Sequence, residues 1–408
     1  SFASLDQPDA GLAPGTRLDV LYAADALSLA ATPERYADLS AFGVSATQNE
    51  RALGTAIDRS RPAAGVRPNP AYNDSFNALY AADIEALAGG LSSLTGQIHA
   101  EMGTSAMRAI GRFADRIGER QMGLATGWLS ETGTPYGAGE VWVSGNHAHT
   151  DVASSGAISG YDVNANNGAF GIDWHFGQTI AGVAGSYEYA DISAKANGDG
   201  NIGTYQAAAY ATFETAGPTV AVRGGLSYGD LSTSRLTTLG KYAAMANASG
   251  HGMGGFAEVS AFQDFEMAAL TLTPSATLGY RGFHRDAMTE TGSLFALSLP
   301  DETFSETQTT LALSASHRFV FDNGLKLEPV LSAGWRHDFG DLDRSSSLAI
   351  FGSGFDASGA DIGRNAFIGR VSVNAIASDR FTFGASYEGE LRDNLTSQTF
   401  SANASLKF

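Results

Sequence analysis

From residue 140 to residue 408 apolar and polar positions alternate in runs of about ten residues, separated by Gly, Asp, Asn and Ser turns, the pattern of successive β-strands. The last run is the clearest. Phe400, Ala402, Ala404, Leu406 and Phe408 fall on one face, and Ser401, Asn403, Ser405 and Lys407 on the other. The same split recurs in Phe381, Phe383, Ala385 and Tyr387 against Thr382, Gly384, Ser386 and Glu388. It recurs again in Phe170, Ile172, Trp174 and Phe176 against Gly171, Asp173 and His175. In the run holding Leu327, Leu331 and Trp335 the opposite face carries Lys326, Glu328 and Arg336, charges of both signs. Upstream the period changes. Residues 47–121 are rich in Ala, Glu, Arg and Leu with helical spacing, interrupted by a Pro/Gly/Asn-rich stretch over 61–74 that reads as a loop. Residues 1–46 are mixed, with Leu18, Val20 and Tyr22 alternating as a strand would.

Counting the alternating runs gives about twelve strands, an even number within the range of outer-membrane barrels. A soluble sandwich or propeller also alternates, but its apolar face is a packed core rich in Val, Ile and Leu. Here that face mixes Ala and Gly with aromatic residues near run ends, such as Trp142, Tyr187, Tyr189, Tyr228, Tyr280 and Trp335, as an interfacial girdle requires. The pattern therefore predicts an all-β membrane protein, an antiparallel transmembrane barrel of about twelve strands.

Composition narrows the function classes. The 49 glycines and 43% hydrophobic residues suit closely packed strands, and 17% charge is too little for a disordered chain of this length. Cysteine is absent, which excludes disulfides and thiolate-held metals. A net charge of −18 with no basic patch argues against a nucleic-acid partner. No apolar run reaches the roughly 18 residues of a transmembrane helix, a statement that leaves barrels untouched because they cross with alternating strands. The chain starts at Ser1 without an initiator Met or signal peptide, and we expect a mature or trimmed piece of a longer protein.

Several segments together resemble the translocator end of autotransporters, the type V secretion family. Leu94-Thr-Gly-Gln-Ile-His-Ala-Glu101, followed by 106–120, resembles the segment that enters the barrel pore in that family. Thr47-Gln-Asn-Glu-Arg-Ala-Leu-Gly-Thr-Ala-Ile-Asp58 resembles the helical region before it. Trp142, Gly160-Tyr-Asp162, Leu226-Ser-Tyr228, Gly255-Phe-Ala-Glu258, Arg285-Asp-Ala-Met-Thr-Glu-Thr-Gly292, Gly334-Trp-Arg-His-Asp-Phe-Gly340 and the terminal Phe408 follow in order. The resemblance implies an outer-membrane barrel that carries its own N-terminal passenger across the membrane and keeps a helix in the lumen. It divides the chain into a β-helix-like passenger remnant (1–46), a helical linker with a pore helix near 97–120 (47–121), a connector (122–139) and the barrel (140–408). The implied partners are outer-membrane lipids, the barrel assembly machinery and the chain's own passenger. The protein is expected to be a monomer without cofactor, metal site or catalytic residues. The alternatives are a passive porin or adhesin barrel without cargo, and a soluble serine hydrolase.

Arg108, Arg112, Arg116 and Arg120 recur every four residues and form one stripe on a helix, apart from the side carrying Met102, Ala106, Ile110, Phe113 and Ile117. For an isolated helix this is a solvated face. Within a barrel, the strand carboxylates Asp173, Glu188, Glu214, Glu258, Glu328, Glu388 and Glu390 offer a counter-surface, and we expect the stripe to meet Asp173, Glu258 and Glu328. Asp115 reads as a partner for Arg112 or Arg116.

The alternating end, Phe400 to Phe408, would be an aggregation hazard in a soluble protein; the resemblance makes it the membrane-insertion signal. Gly225-Leu-Ser-Tyr-Gly229 matches a nucleophile elbow, but period 2 runs straight through it, so Ser227 lacks the strand-turn-helix that exposes a nucleophile. Gly250-His-Gly-Met-Gly-Gly255 lacks a following helix and is a false dinucleotide motif. His147 and His149 share a face but lack a third metal ligand, and His99 reads as a packing or hydrogen-bonding residue. One autotransporter branch cuts its chain in the barrel through a helix Asn. Residues 78–145 contain no Asn, so that chemistry is not expected here, and any cut should fall in the exposed loop 61–74.

Overall fold

Alternation along the chain becomes a closed wall. The computed structural model describes residues 5–7, 11–22, 25–129, 136–195, 198–268, 270–340 and 344–408. Twelve long strands run Gly139–Val152, Tyr161–Phe176, Thr179–Ser193, Asp199–Phe213, Thr219–Leu239, Tyr242–Phe262, Leu270–Arg285, Glu302–Ser316, Lys326–Phe339, Asn365–Ile376, Phe381–Leu391 and Leu395–Lys407. Each pairs antiparallel with the next, and the twelfth pairs with the first, Phe400 opposite His147. Closure leaves no long edge whose backbone groups would be unpaired in lipid.

The radial distribution of side chains is inverted relative to a soluble protein. Phe170 is 65% exposed and Leu226 75%, whereas Asp173 and Glu188 are fully buried. Large apolar side chains thus cover the outward face, while the buried charges face the lumen beside an apolar patch that receives the helix, which excludes the sandwich reading. Among the described residues, no helix is long and apolar enough to cross a membrane, which says nothing of strands. Tyr187, Tyr189, Tyr228, Tyr280 and Trp335 face outward as the girdle required. Trp142 does not: its indole is buried in the lumen and donates to the Tyr210 hydroxyl at 3.0 Å. Near a strand end, an aromatic on the polar face looks the same in sequence as one on the lipid face.

Short turns close one end of the barrel, after Phe176, Phe213 and Ile376, while the two longest connections, 286–301 and 340–364, lie at the other end. By the usual asymmetry of such barrels the short turns lie in the periplasm and the long connections outside. The fifth and sixth strands have 21 residues each, about twice what a bilayer needs, so their hairpin stands well above the outer rim.

Helix α1 (Gln48–Ser60) opens with a capping box in which the Thr47 hydroxyl accepts from Glu50 N–H and the Glu50 carboxylate accepts from Thr47 N–H. Helices α2 (Asn73–Ala81) and α3 (Ile84–Leu94) follow, the latter capped by Asp83. Gly96 then adopts φ +70°, and a Cβ there would lie 2.5 Å from Leu297 Cδ1. The chain turns at that point and enters the barrel as α4 (Ile98–Ala125), 28 residues descending from the outer mouth to the periplasmic end.

Residues ahead of Gly96 build a cap over the outer mouth. Leu53, Ile57, Phe76, Leu79, Leu87 and Leu91 share one buried core with Leu239, Met288, Phe295, Leu297, Leu348, Ile350 and Phe355 from the outer connections. Asn49 and Ser358 exchange two hydrogen bonds, 2.8 and 2.9 Å. The expected β-helix rung is instead an antiparallel hairpin, Thr16–Tyr22 with Leu27–Pro33. A β-helix rung pairs in parallel with its neighbours, so this hairpin closes on itself. Arg61, expected in an exposed loop, is buried against Asp19 and Thr32 and stacks over the Tyr36 ring at 4.8 Å. Residues 69–71 remain exposed.

Candidate functional site

The lumen is a site made of charge. Its polar wall and the arginine stripe of α4 meet in a ladder of ion pairs. At the outer end Arg108 Nη2 lies 3.1 Å from Glu390 Oε2, and Arg112 Nε donates to Glu188 at 3.0 Å. One turn on, Arg116 pairs with Glu119 on its own helix at 3.1 Å and donates to the Ser401 hydroxyl. At the periplasmic end Arg120 reaches Asp173 at 2.7 Å and Glu140 at 2.6 Å. The pairing also runs in reverse. Arg336 of the ninth strand donates from Nη2 to both oxygens of Asp115 at 3.0 Å, and Arg370 of the tenth joins Glu119 to Glu388. The charges of this ladder are therefore matched, as a low-dielectric interior demands.

Two expected partners are not in this ladder. Glu258 pairs with Arg223, its cross-strand neighbour, and accepts from Gln308 at 3.1 Å. Glu328 accepts from Arg318 at 2.7 Å. In both cases a wall arginine nearer than the helix satisfies the carboxylate. Asp115 likewise turns to the wall and not to Arg112 or Arg116: Arg336 Nη2 donates to both of its carboxylate oxygens, while Arg336 Nε is held by the Thr310 hydroxyl. Glu214 lies exposed beyond the fourth strand, outside the lumen. Glu140, Glu188, Glu390, Arg336 and Arg370 are the functional partners. Their polar-face positions were visible in the alternation; their pairing with α4 depends on barrel register.

Gly111 and Gly118 let the wall approach. A Cβ on Gly111 would fall 1.7 Å from an Arg281 guanidinium nitrogen, and one on Gly118 2.7 Å from Arg223 Cζ. Both arginines are thus laid across the helix, held by Glu306 and Glu258. The helix leans on the third to seventh strands. On the opposite side a cavity of about 200 Å³ remains, lined by Ser332, Ser372, Asn374, Ser386 and Asn403.

Where α4 meets the cap, Glu290 collects His99 at 2.8 Å and Arg235 at 2.6 and 2.7 Å, and accepts from Leu297 N–H at 2.7 Å. Burial alone would raise this carboxyl; the His99 hydrogen bond and the Arg235 pair outweigh it and hold it at about 2. His99 thus fixes the corner between cap and pore. Ser227 sits mid-strand within Thr219–Leu239, where the chain makes no elbow. His147 and His149 face outward on Asn166 and Asn164 at 3.0 and 2.9 Å. Phe400, Ala402 and Phe408 lie on the outward face with Leu406, and Ala404 is half-buried on the same face.

A twelve-stranded barrel threaded by a charged helix can be compared with known proteins. The autotransporter β-domain family model matches residues 141–388, more than half of the chain. The chain belongs to the autotransporter family. Its barrel is an outer-membrane translocator domain for a passenger. Among solved structures, the translocator domain of NalP from Neisseria meningitidis superposes with a TM-score of 0.58 at 16% identity, over 74% of this chain and 98% of that one. The β-domain of the Bordetella autotransporter BrkA gives 0.51 at 18% identity, over 66% and 100%. At these identities the likeness concerns the autotransporter fold. An extracellular serine protease of Serratia marcescens is 22% identical over 321 residues, 77% of this chain but 30% of the relative. This autotransporter chain therefore spans less than a third of the curated relatives it matches.

Proposed function

We propose that this chain holds the state reached when secretion ends, with α4 as resident plug and residues 16–97 as the first part of the exported polypeptide to fold outside. The observation that carries this reading is the path of the chain. Helix α4 runs down the lumen with its arginines paired along its length, so the described residues N-terminal to Gly96 lie beyond the outer rim. The barrel itself performs no catalysis; any enzymatic activity belongs to the passenger. The alternating end, Phe400 to Phe408, serves the barrel assembly machinery during insertion. The absence of Asn from 78–145 supports a covalent link that stays intact through the pore. Single-channel recording tests the plug: without residues 1–96 the protein should stay closed, and without residues 1–125 it should conduct. Equal conductance in the two truncations would remove α4 from the role.

A further inference from the structure

Helix α4 fills one side of the lumen and not the other. Ile110, Phe113 and Ile117 share a buried cluster with Ile202, Leu231, Phe256 and Phe283 of the fourth to seventh strands, and Phe113 meets Phe256 edge-on with ring centroids 6.2 Å apart. The far side is packed differently. The cavity of about 200 Å³ left there runs from Arg336 and Glu388 down to Trp128 and Leu129, and between them the wall offers the hydroxyls and carboxamides of Ser332, Ser372, Asn374, Ser386 and Asn403. A lane of that size and polarity holds several water molecules. Small ions follow water, so the body of the helix does not by itself seal this side.

What crosses the lane is charge. Asp115 and Glu119 stand one helical turn apart on the face of α4 that lines it. Arg336 of the ninth strand donates from Nη2 to both Asp115 oxygens at 3.0 Å, and Arg370 of the tenth bridges Glu119 to Glu388 of the eleventh. Among the described residues, every hydrogen bond or ion pair from α4 to these three strands joins charged groups, the remaining one being Arg108 on Glu390.

The crossing is also balanced. With Arg116 on Glu119 at 3.1 Å, it sets the arginines 116, 336 and 370 against the carboxylates of Asp115, Glu119 and Glu388. Each charge is spent on its partner, so neither a cation nor an anion entering the lane finds a free counter-charge. Removing charges of one sign would leave the other sign facing the water.

We propose that this balanced septum is the ion gate of the plugged barrel: α4 leaves a hydrated lane along the eighth to twelfth strands, and the crossing of Asp115, Glu119 and Glu388 with Arg336 and Arg370 closes it to small ions. The proposal rests on α4 being the resident plug. The full chain and its variants would be recorded in planar bilayers under a potassium chloride gradient, where the sign of the reversal potential reports which ion passes. The wild-type chain should stay closed. R336M/R370M leaves carboxylates in excess and should give a cation-selective leak, whereas D115N/E119Q leaves arginines in excess and should give an anion-selective one. Both leaks should be smaller than the conductance of the barrel lacking residues 1–125, because α4 stays on the fourth to seventh strands. D115R/R336D, which keeps the pair with its signs exchanged, should close again. A merely anchoring role predicts something else, since a loosened helix would open the same pore with the same selectivity in both variants. Equal selectivity from the two variants therefore overturns the gate, as does silence from both while the barrel lacking 1–125 conducts. If that truncated barrel conducts no better than the full chain, the plug reading fails and the gate falls with it.

Discussion

The cap and the lumenal helix are both helical, adjacent in sequence and joined at Gly96, and each has an apolar core, yet only the helix adds a ladder of ion pairs along its length. Helices α1 to α3 bury Leu53, Ile57, Phe76, Leu79, Leu87 and Leu91 in an apolar core with the outer connections. Helix α4 also buries apolar side chains, Ile98, Met102, Ile110 and Phe113 among them, against Val163, Ile202, Leu231 and Phe283 of the wall, and adds a ladder of ion pairs from Arg108, Arg112 and Arg120 to Glu390, Glu188, Asp173 and Glu140. The solvent outside the barrel explains the difference. A wall that shows apolar groups to lipid turns its charges inward, so a segment resident in the pore must match those charges as well as bury apolar surface. A segment that leaves the pore folds in water, where apolar burial drives it.

If the two regions are separate units, damage to one should spare the other. The largest effects come from removing one anchor of each. Arg120→Ala leaves Asp173 and Glu140 buried without a cation, which costs about 3–5 kcal/mol. Phe76→Ala empties the cap core at a similar cost of about 3–5 kcal/mol. R120A should produce channel openings in bilayer recordings while hydrogen exchange over 48–94 stays slow. F76A should speed that exchange while the channel stays closed. Either variant affecting both readouts would mean that cap and helix unfold together.

Added methyl groups should separate the regions next. A Cβ on Gly54 would lie 2.5 Å from the Tyr36 carbonyl oxygen, which is backbone and cannot step aside. Gly54→Ala should therefore destabilise the cap by about 1–3 kcal/mol. Gly111→Ala meets only the mobile end of Arg281, and the gain in helix propensity of about 1 kcal/mol offsets much of the conflict. Thermal gel-shift assays should rank G54A below G111A in stability, and the reverse order would mean that Arg281 is fixed as rigidly as backbone.

Acid should produce the smallest effect, and it should fall on the cap junction. The Glu290 carboxyl is held at about 2 against an ordinary 4.5. In the cap, burial would raise Asp19, but Arg17 and Arg61 outweigh it and lower its pKa. Both groups are depressed in the folded state, so their stabilisation is complete above the ordinary carboxylate range and fades as pH falls from about 4.5 toward 2. Exchange over 48–94 should quicken across that window, and Glu290→Gln should flatten the response. An unchanged slope in E290Q would assign the acid response to other carboxylates.

Alternation made the barrel legible because period 2 assigns each side chain to lipid or lumen before any strand is paired. Phe400, Phe170 and Leu331 were assigned outward in this way, and Asp173 and Glu188 inward. Trp142 was misassigned because aromatic identity was given weight over face. Spacing by four made the arginine stripe legible. Its partners were only partly so, since Glu258 and Glu188 look alike along the chain and differ only in whether a neighbouring strand brings an arginine such as Arg223 across from them. The cap was hidden for a similar reason. Its helices were legible, but half of its core is supplied by Phe295, Leu297 and Leu348, which follow it by some two hundred residues or more.

The sequence by itself determined the strands, their two faces, the helical linker and the charged stripe, all of which follow from local periodicity and need only a few neighbouring residues. Only the tertiary structure decided which carboxylate each arginine meets, that Asp115 turns to Arg336, and that residues 16–97 close over the outer mouth. Those choices depend on barrel closure and register, which bring together groups far apart in the chain and let the nearest well-oriented partner take each buried charge.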